Sequence, residues 1–251
     1  MTKALLKKIA GRVANRILTN AEFSALHEIR HLKKLFEYMN IDCVFDVGAN
    51  SGQYATMLRK RVGYSGLIIS FEPNPELIDD LHKRSAHDAL WIIKDIALSN
   101  TDGPQTFNIM VEDQFSSFKS PSTTEYSGLS HINQVRQVST VQCHQLDTIF
   151  NELKREHKFQ RPFLKMDTQG NDLAVLAGAT KSLAEILGLQ SELGFKRLYE
   201  DMPLFNEALE AYSRAGFELS ALVPNNAGHF PVLLEMDCIM INSSVNSSAN
   251  S

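Results

Sequence analysis

Short apolar runs alternate with amphipathic stretches from residue 41 onward. IDCVFDV, GLIISFE, LWIIK and PFLKMD are rich in β-branched and aromatic side chains, and helical periodicity follows three of them, over residues 52–62, 75–84 and 171–183. Strands that are apolar almost throughout are buried on both faces. The pattern therefore predicts an α/β fold, a mostly parallel sheet with helices on either side. Residues 105–111 and 137–143 break the rhythm and predict an inserted antiparallel β pair joined by a Ser/Thr-rich loop. Residues 205–215 read as a helix, and 217–223 and 238–242 as strands.

The first 39 residues carry only helical periodicity. Leu6, Ile9, Val13 and Ile17 share one face, with Lys8, Arg12 and Arg16 in a neighbouring row. Residues 19–22 (TNAE) match a capping box, after which Leu26, Ile29, Leu32, Leu35 and Phe36 continue the period. The chain thus divides into a helical extension over residues 1–40, a main domain over 41–242 and a polar tail over 243–251, too poor in apolar surface to order itself.

Composition narrows the class. At 251 residues, 43% hydrophobic and 22% charged, the chain can bury one large core. A formal net charge of −4 argues against a surface built to track nucleic acid. Eight Lys and Arg face only three Asp and Glu over residues 1–38. That bias allows peripheral contact of residues 1–18 with an anionic membrane, although such a helix more often packs on its own domain. No apolar run approaches the roughly 18 residues a membrane span needs, and the basic start lacks the apolar core of a signal peptide. Cys43, Cys143 and Cys238 show no Cys-x-x-Cys spacing and read as buried thiols of a reducing compartment. The expectation is a cytoplasmic protein, peripheral at the inner membrane surface at most. The oligomeric state leaves no mark on the sequence.

Candidate chemistry begins at DVGANSGQY. In an open parallel sheet ligands lie beyond the carboxyl ends of the strands. Gly48 and Gly52 permit a tight turn there, and Asp46 is an acid at the strand end. A dinucleotide fingerprint would require G-x-G-x-x-G, but Ala49 and Asn50 occupy that space, and no Gly-Lys-Ser/Thr follows. An acid there repels phosphate and attracts an ammonium group, which fits S-adenosylmethionine, a zwitterion without phosphate. Glu72 at the end of the second strand can accept both ribose hydroxyls, and Asp95 with the amide of Ile96 can meet an adenine ring. Asn74 and Pro75 supply an N-cap and first-turn proline. Asp147 reads as the N-cap of a further helix.

DVGANSGQY, SFEPNP, IALS, QLD, LKMDTQGND with VLAGA, and SELGF together resemble the FkbM-type methyltransferases, over about residues 41–242. The resemblance implies a Rossmann-like class I methyltransferase fold, S-adenosyl-L-methionine as cofactor, and methylation of a hydroxyl on a sugar, glycan precursor or secondary metabolite. The YSGLIISFEP variant and the late E-x-D-C look like members from bacterial surface-glycan clusters. By position, Asp46, Gly48, Asn50 and Gly52 match the cofactor turn and Glu72 the ribose acid, while Ser116 and Ser117 match a serine pair lining the site. Lys165, Asp167, Gly170 and Asp172 match a signature written K-x-D-V-E-G-x-E, with Gln169 in place of the glutamate.

A neutral hydroxyl needs a general base. Asp167 is the first candidate, His144 the second, with His131, His229 and Glu192 as further possibilities. The spacing of Asp167, Asp172 and Glu192 prescribes no metal site, and none is expected. Two other readings compete: base methylation of nucleic acid, opposed by the missing Asn/Asp-Pro-Pro-Tyr segment, and a non-catalytic cofactor-binding module docked on a membrane or a glycan-assembly complex.

Overall fold

The computed structural model describes residues 20–122, 133–224, 229 and 231–244. The basic stretch 1–18, the TNAE start, His131 and most of the polar tail lie outside them. Helix α1 (Asn20–Met39) leads into β1 (Cys43–Val47). There follow α2 (Gln53–Met57), continued as a π-helical turn over Leu58–Val62, then β2 (Leu67–Phe71), α3 (Pro75–Ser85) and β3 (Trp91–Lys94). Next come β4 (Ala97–Leu98), β5 (Gly103–Met110), β6 (Val135–His144) and α4 (Leu146–His157). The chain closes with β7 (Pro162–Met166), α5 (Asp172–Ala177), β8 (Gly188–Gly194), α6 (Phe205–Arg214), β9 (Phe217–Pro224) and β10 (Glu235–Asn242).

The main sheet has seven strands in the order β3-β2-β1-β7-β8-β10-β9, with β10 antiparallel to both neighbours. The chain starts in the middle, winds outward to β3 and then crosses to β7. The order therefore reverses between β1 and β7, where a doubly wound sheet opens a crevice. Every residue of β1, β2 and β7 is buried, as their unbroken apolar runs require. Alternation assigns the faces. Cys43, Phe45 and Val47 pack with Phe150 of α4, Val175 of α5 and Tyr212 of α6. Val44, Ile68 and Phe163 pack on the other face with Ile29, Leu32 and Phe36 of α1 and with Leu58 and Leu81.

The inserted pair forms as expected, β5 antiparallel to β6, and gains a third strand because Ala97 and Leu98 of β4 pair with Cys143 and His144 in parallel. Two expected elements shift. The helix over 171–183 ends at Ala177 with Gly178 as its C-cap, packed against the turn after β4 so closely that a Cβ on Gly178 would lie 2.0 Å from the Ser99 carbonyl oxygen. Asp147 sits inside the first turn of α4, where its carboxylate accepts from the Ser182 amide at 2.8 Å and so caps the 3₁₀ turn Ser182–Ala184, not its own helix. Asn74 caps α3 as expected, accepting from the Glu76 amide at 3.1 Å with Pro75 at the first position. All three cysteines are buried free thiols. No described helix is long and apolar enough to cross a membrane.

Candidate active site

On the face covered by α1 and α2, the sheet changes character one pleat short of its carboxyl edge. Val44 and Ile68 are register partners and apolar; two residues further on, Ser70, Asp46, Lys165 and Gln190 form a polar row across β2, β1, β7 and β8. The row is bonded from end to end. Trp91 Nε1 donates to Ser70 Oγ at 2.9 Å, and Ser70 Oγ donates to Asp46 at 3.0 Å. Lys165 Nζ lies 3.3 Å from Asp46 and 3.4 Å from Asp167, and over the Tyr54 ring. The Tyr54 hydroxyl donates to Gln190 Oε1 at 2.9 Å, and the Gln190 amide donates to Glu28 of α1 at 2.8 Å and Asp237 of β10 at 2.9 Å. Such a row at buried depth is tolerated because its members satisfy one another.

Above the row opens a cavity of about 360 Å³, a size suited to a nucleoside-sized ligand. The β1–α2 turn, Glu72, Phe71, Leu98 and Phe107 line one part; Asp167, Gln190, Glu192 and Asp237 line another. Gly48 makes the turn possible: its φ is +75°, and a Cβ on it would stand 2.0 Å from the Asp167 carbonyl oxygen. Glu72 holds the turn from the side, accepting the Asn50 amide at 2.6 Å and the Asn74 amide at 2.8 Å. Burial nevertheless pushes its carboxyl up to about 7 against those two amides. Each oxygen retains a lone pair for a ligand hydroxyl.

Asp167 follows β7 directly, anchored by its amide to the Val47 carbonyl at 3.0 Å, and its side chain is 43% exposed. Its carboxylate accepts from Gln169 Nε2 at 3.0 Å. Burial opposes the Lys165 charge, but Asp167 and Asp46 outweigh it and hold the ammonium above its ordinary value. Asp172 is spent on structure: it accepts from the Thr168 amide at 2.9 Å and from Ser191 Oγ at 2.6 Å. Among the described residues no cluster of three His, Cys, Asp or Glu could hold a metal ion.

A sequence profile of the methyltransferase FkbM domain matches residues 46–219. The chain belongs to this family. S-adenosylmethionine-dependent methyl transfer is the activity class of FkbM methyltransferases. No curated protein matches the sequence. Solved structures similar to it include a methyltransferase FkbM from Methylobacillus flagellatus KT, at TM-score 0.49 and 12% identity over 79% of this chain. The present chain spans 43% of that longer one. The magnesium protoporphyrin IX methyltransferase of Synechocystis PCC 6803 with bound S-adenosylmethionine aligns at TM-score 0.47 and 7% identity, over 88% of this chain and 81% of the other. Membership rests on the profile; the fold rests on the strand order.

Within this FkbM domain the residues singled out from sequence separate into two groups. Gly48, Asn50, Glu72, Ser116 and Asp167 line the cavity. Asp46 does not: it is fully buried in the polar row, because β1 extends through Val47 and the pleat turns position 46 inward. Gly52, at φ +81°, caps α2 against Trp91 and Leu81, outside the lining. Asp95 pairs with His82 at 3.0 Å, half-exposed, and neither it nor Ile96 lines the cavity. Ser117 is buried, its hydroxyl donating to the Gln169 carbonyl at 2.7 Å. His144 pairs with Asp102 at 3.4 Å at the end of β6 and does not line the cavity. His229 is paired with Glu235 at 3.5 Å. Sequence reasoning missed Glu28, Tyr54, Gln190 and Asp237, which reach the cavity from four separate elements.

These buried carboxylates set a pH dependence. Burial raises the carboxyls of Glu28, Glu72, Asp172, Glu192 and Asp237 above their ordinary values. At these five carboxyls the folded protein binds more protons than the unfolded chain, so their contribution to stability falls as pH rises. For Glu72 alone the interval from 4.5 to about 7 is worth about 3 kcal/mol. Calorimetry of the free protein is expected to show a melting temperature about 5–10 °C lower at pH 8 than at pH 5.5. A flat or rising profile would contradict the burial assigned to this wall.

Proposed function

We propose that the protein is an O-methyltransferase that carries a methyl group from S-adenosylmethionine to a hydroxyl of a sugar or glycan precursor. The carrying observation is Asp167, a half-exposed carboxylate at the tip of β7, in the same cavity as Glu72. The donor set fits the cofactor. Glu72 presents two oxygens for ribose hydroxyls, Phe71, Leu98 and Phe107 offer apolar cover for a purine, and the Gly48 turn admits close backbone approach. The ammonium group would find Asp237, a carboxylate on the lining, in place of the buried Asp46. When bound, the cofactor supplies an electrophilic methyl on a positively charged sulfur.

Asp167 would then accept the acceptor's hydroxyl proton while Lys165, 3.4 Å away, keeps the carboxylate in place. Gln190, Glu192 and Asp237 offer hydrogen-bond acceptors to a polyhydroxylated molecule. The same acids oppose a phosphate-rich nucleic acid. Incubation with methyl-labelled cofactor and glycan extracts, followed by mass spectrometry, is expected to label a carbohydrate oxygen. Asp167→Asn is expected to lower that rate 10²- to 10⁴-fold, the range of a general base. Labelling of a nitrogen, or an undiminished rate in Asp167→Asn, would overturn the reading.

A further inference from the structure

Gln169 and Tyr199 form a hydrogen-bonded chain behind Asp167. The Tyr199 hydroxyl lies 2.8 Å from Gln169 Oε1 and 2.9 Å from the Phe115 carbonyl oxygen, and Gln169 Nε2 lies 3.0 Å from Asp167 Oδ1. Gln169 is fixed there at a cost. Its φ is +53°, a conformation that a non-glycine residue adopts only when its surroundings hold it, and Ser117 Oγ bonds its carbonyl at 2.7 Å. Tyr199 is 1% exposed.

One hydroxyl proton cannot fully serve two acceptors. Two patterns fit the same heavy atoms. In the first, Tyr199 donates to Gln169 Oε1 and the Gln169 amide donates to a charged Asp167. In the second the amide is turned over: protonated Asp167 donates to Oε1, Nε2 donates to Tyr199 Oη, and the Tyr199 proton goes to Phe115. The two differ by one proton on Asp167 and a half-turn of the amide, groups that X–N and X–O geometry alone does not separate.

We infer that Gln169 and Tyr199 are positioning residues for Asp167, their shared hydroxyl proton tying the orientation of the amide to whether that carboxyl is charged. This rests on the reading of Asp167 as the base. In the transfer step the acceptor's O–H bond breaks as its oxygen takes the methyl, the electron pair of the broken sulfur–methyl bond would stay on a neutral thioether, and the proton goes to Asp167 Oδ1; the amide turns and Tyr199 redirects its own proton to Phe115. No charge enters or leaves the chain of three side chains beyond that one proton. Phe115 lies in the loop between β5 and β6 and lines the cavity, so the relay also joins the inserted loop to the base. Lys165 faces Asp167 from β7, Glu192 from β8, Asp237 from β10, Glu28 from α1 and Asp172 from α5. These charges stay the same in the variants below and cancel in the comparison.

The two ends of the relay predict shifts of opposite sign. Gln169→Glu keeps the acceptor for Tyr199 but sets a second carboxylate against Asp167, which favours the protonated pair. Tyr199→Phe removes two hydrogen bonds from the protonated pattern and one from the charged pattern, which favours the charged form. The test is a ¹³C titration of aspartate-labelled full-length protein, with the Asp167 carboxyl signal assigned by its loss in Asp167→Asn. The titration midpoint is expected to rise by at least about one pH unit in Gln169→Glu and to fall by about half a unit in Tyr199→Phe. A midpoint unmoved in either folded variant, or moved in the same direction in both, overturns the inference. Should Tyr199→Phe fail to fold, the Gln169→Glu midpoint decides alone. The titration needs no acceptor, so its failure leaves the base reading standing, whereas undiminished methyl transfer in Asp167→Asn removes the base whatever the midpoints show.

Discussion

Gly48→Ala is expected to lower the unfolding free energy by about 5 kcal/mol, against about 1 kcal/mol for Gly63→Ala. Both glycines have positive φ, +75° and +79°, so both substitutions carry the left-handed strain of an L-residue. The difference lies in what surrounds them. Nothing stands within 4 Å of a Cβ at Gly63, whereas at Gly48 it would lie 2.0 Å from the Asp167 carbonyl oxygen. That oxygen belongs to backbone held by the β1–β7 pairing, including the Asp167 amide bonded to Val47 at 3.0 Å, so it cannot swing aside as a flexible side chain would. Thermal melts of the two variants isolate the contact: Gly48→Ala should melt roughly 10–20 °C below the parent. Equal losses in the two variants would mean that the β1 turn and the tip of β7 are not in contact.

Lys165→Met is expected to cost about 3–5 kcal/mol, the scale for breaking a buried ion pair by removing one partner. Asp46 is fully buried, and Lys165 is the cation 3.3 Å away; without it, the carboxylate retains only the Ser70 hydroxyl at 3.0 Å. Adding Asp46→Asn to Lys165→Met should restore most of the loss, because the stranded charge is then gone. Urea unfolding of the parent, both single variants and the double variant at pH 8 measures the coupling. Additive costs would show that the two groups do not share the buried row, and the electrostatics assigned to Asp167 through Lys165 would fail with it.

The elements legible in the sequence are those written into local pattern. The apolar runs marked β1, β2 and β7, the Asn74-Pro75 pair marked the start of α3, and the glycine spacing marked the β1 turn. Glu72 was legible as well, being the first residue past its strand. Asp46 was misassigned within a strand whose end was read correctly: the run IDCVFDV already reached Val47, and alternation along it sends position 46 into the buried row and not to the cavity above. Asp95 follows β3 as Glu72 follows β2, yet it turns to His82, a choice made by a helix of unrelated sequence. The link from Gln190 to Glu28 joins residues 162 positions apart, beyond any motif.

That link bears on how the molecule can be dissected. The helix over Asn20–Met39 looks detachable by charge and composition, and cutting before Asp42 is the natural way to isolate the catalytic portion. Yet Glu28 closes one side of the crevice, and Leu32, Phe36 and Met39 roof the sheet beside Val44 and Phe163. A chain begun at Asp42 would bare a greasy surface and leave its binding chamber without a wall. A loss of ligand affinity in it would report damage to the enzyme body.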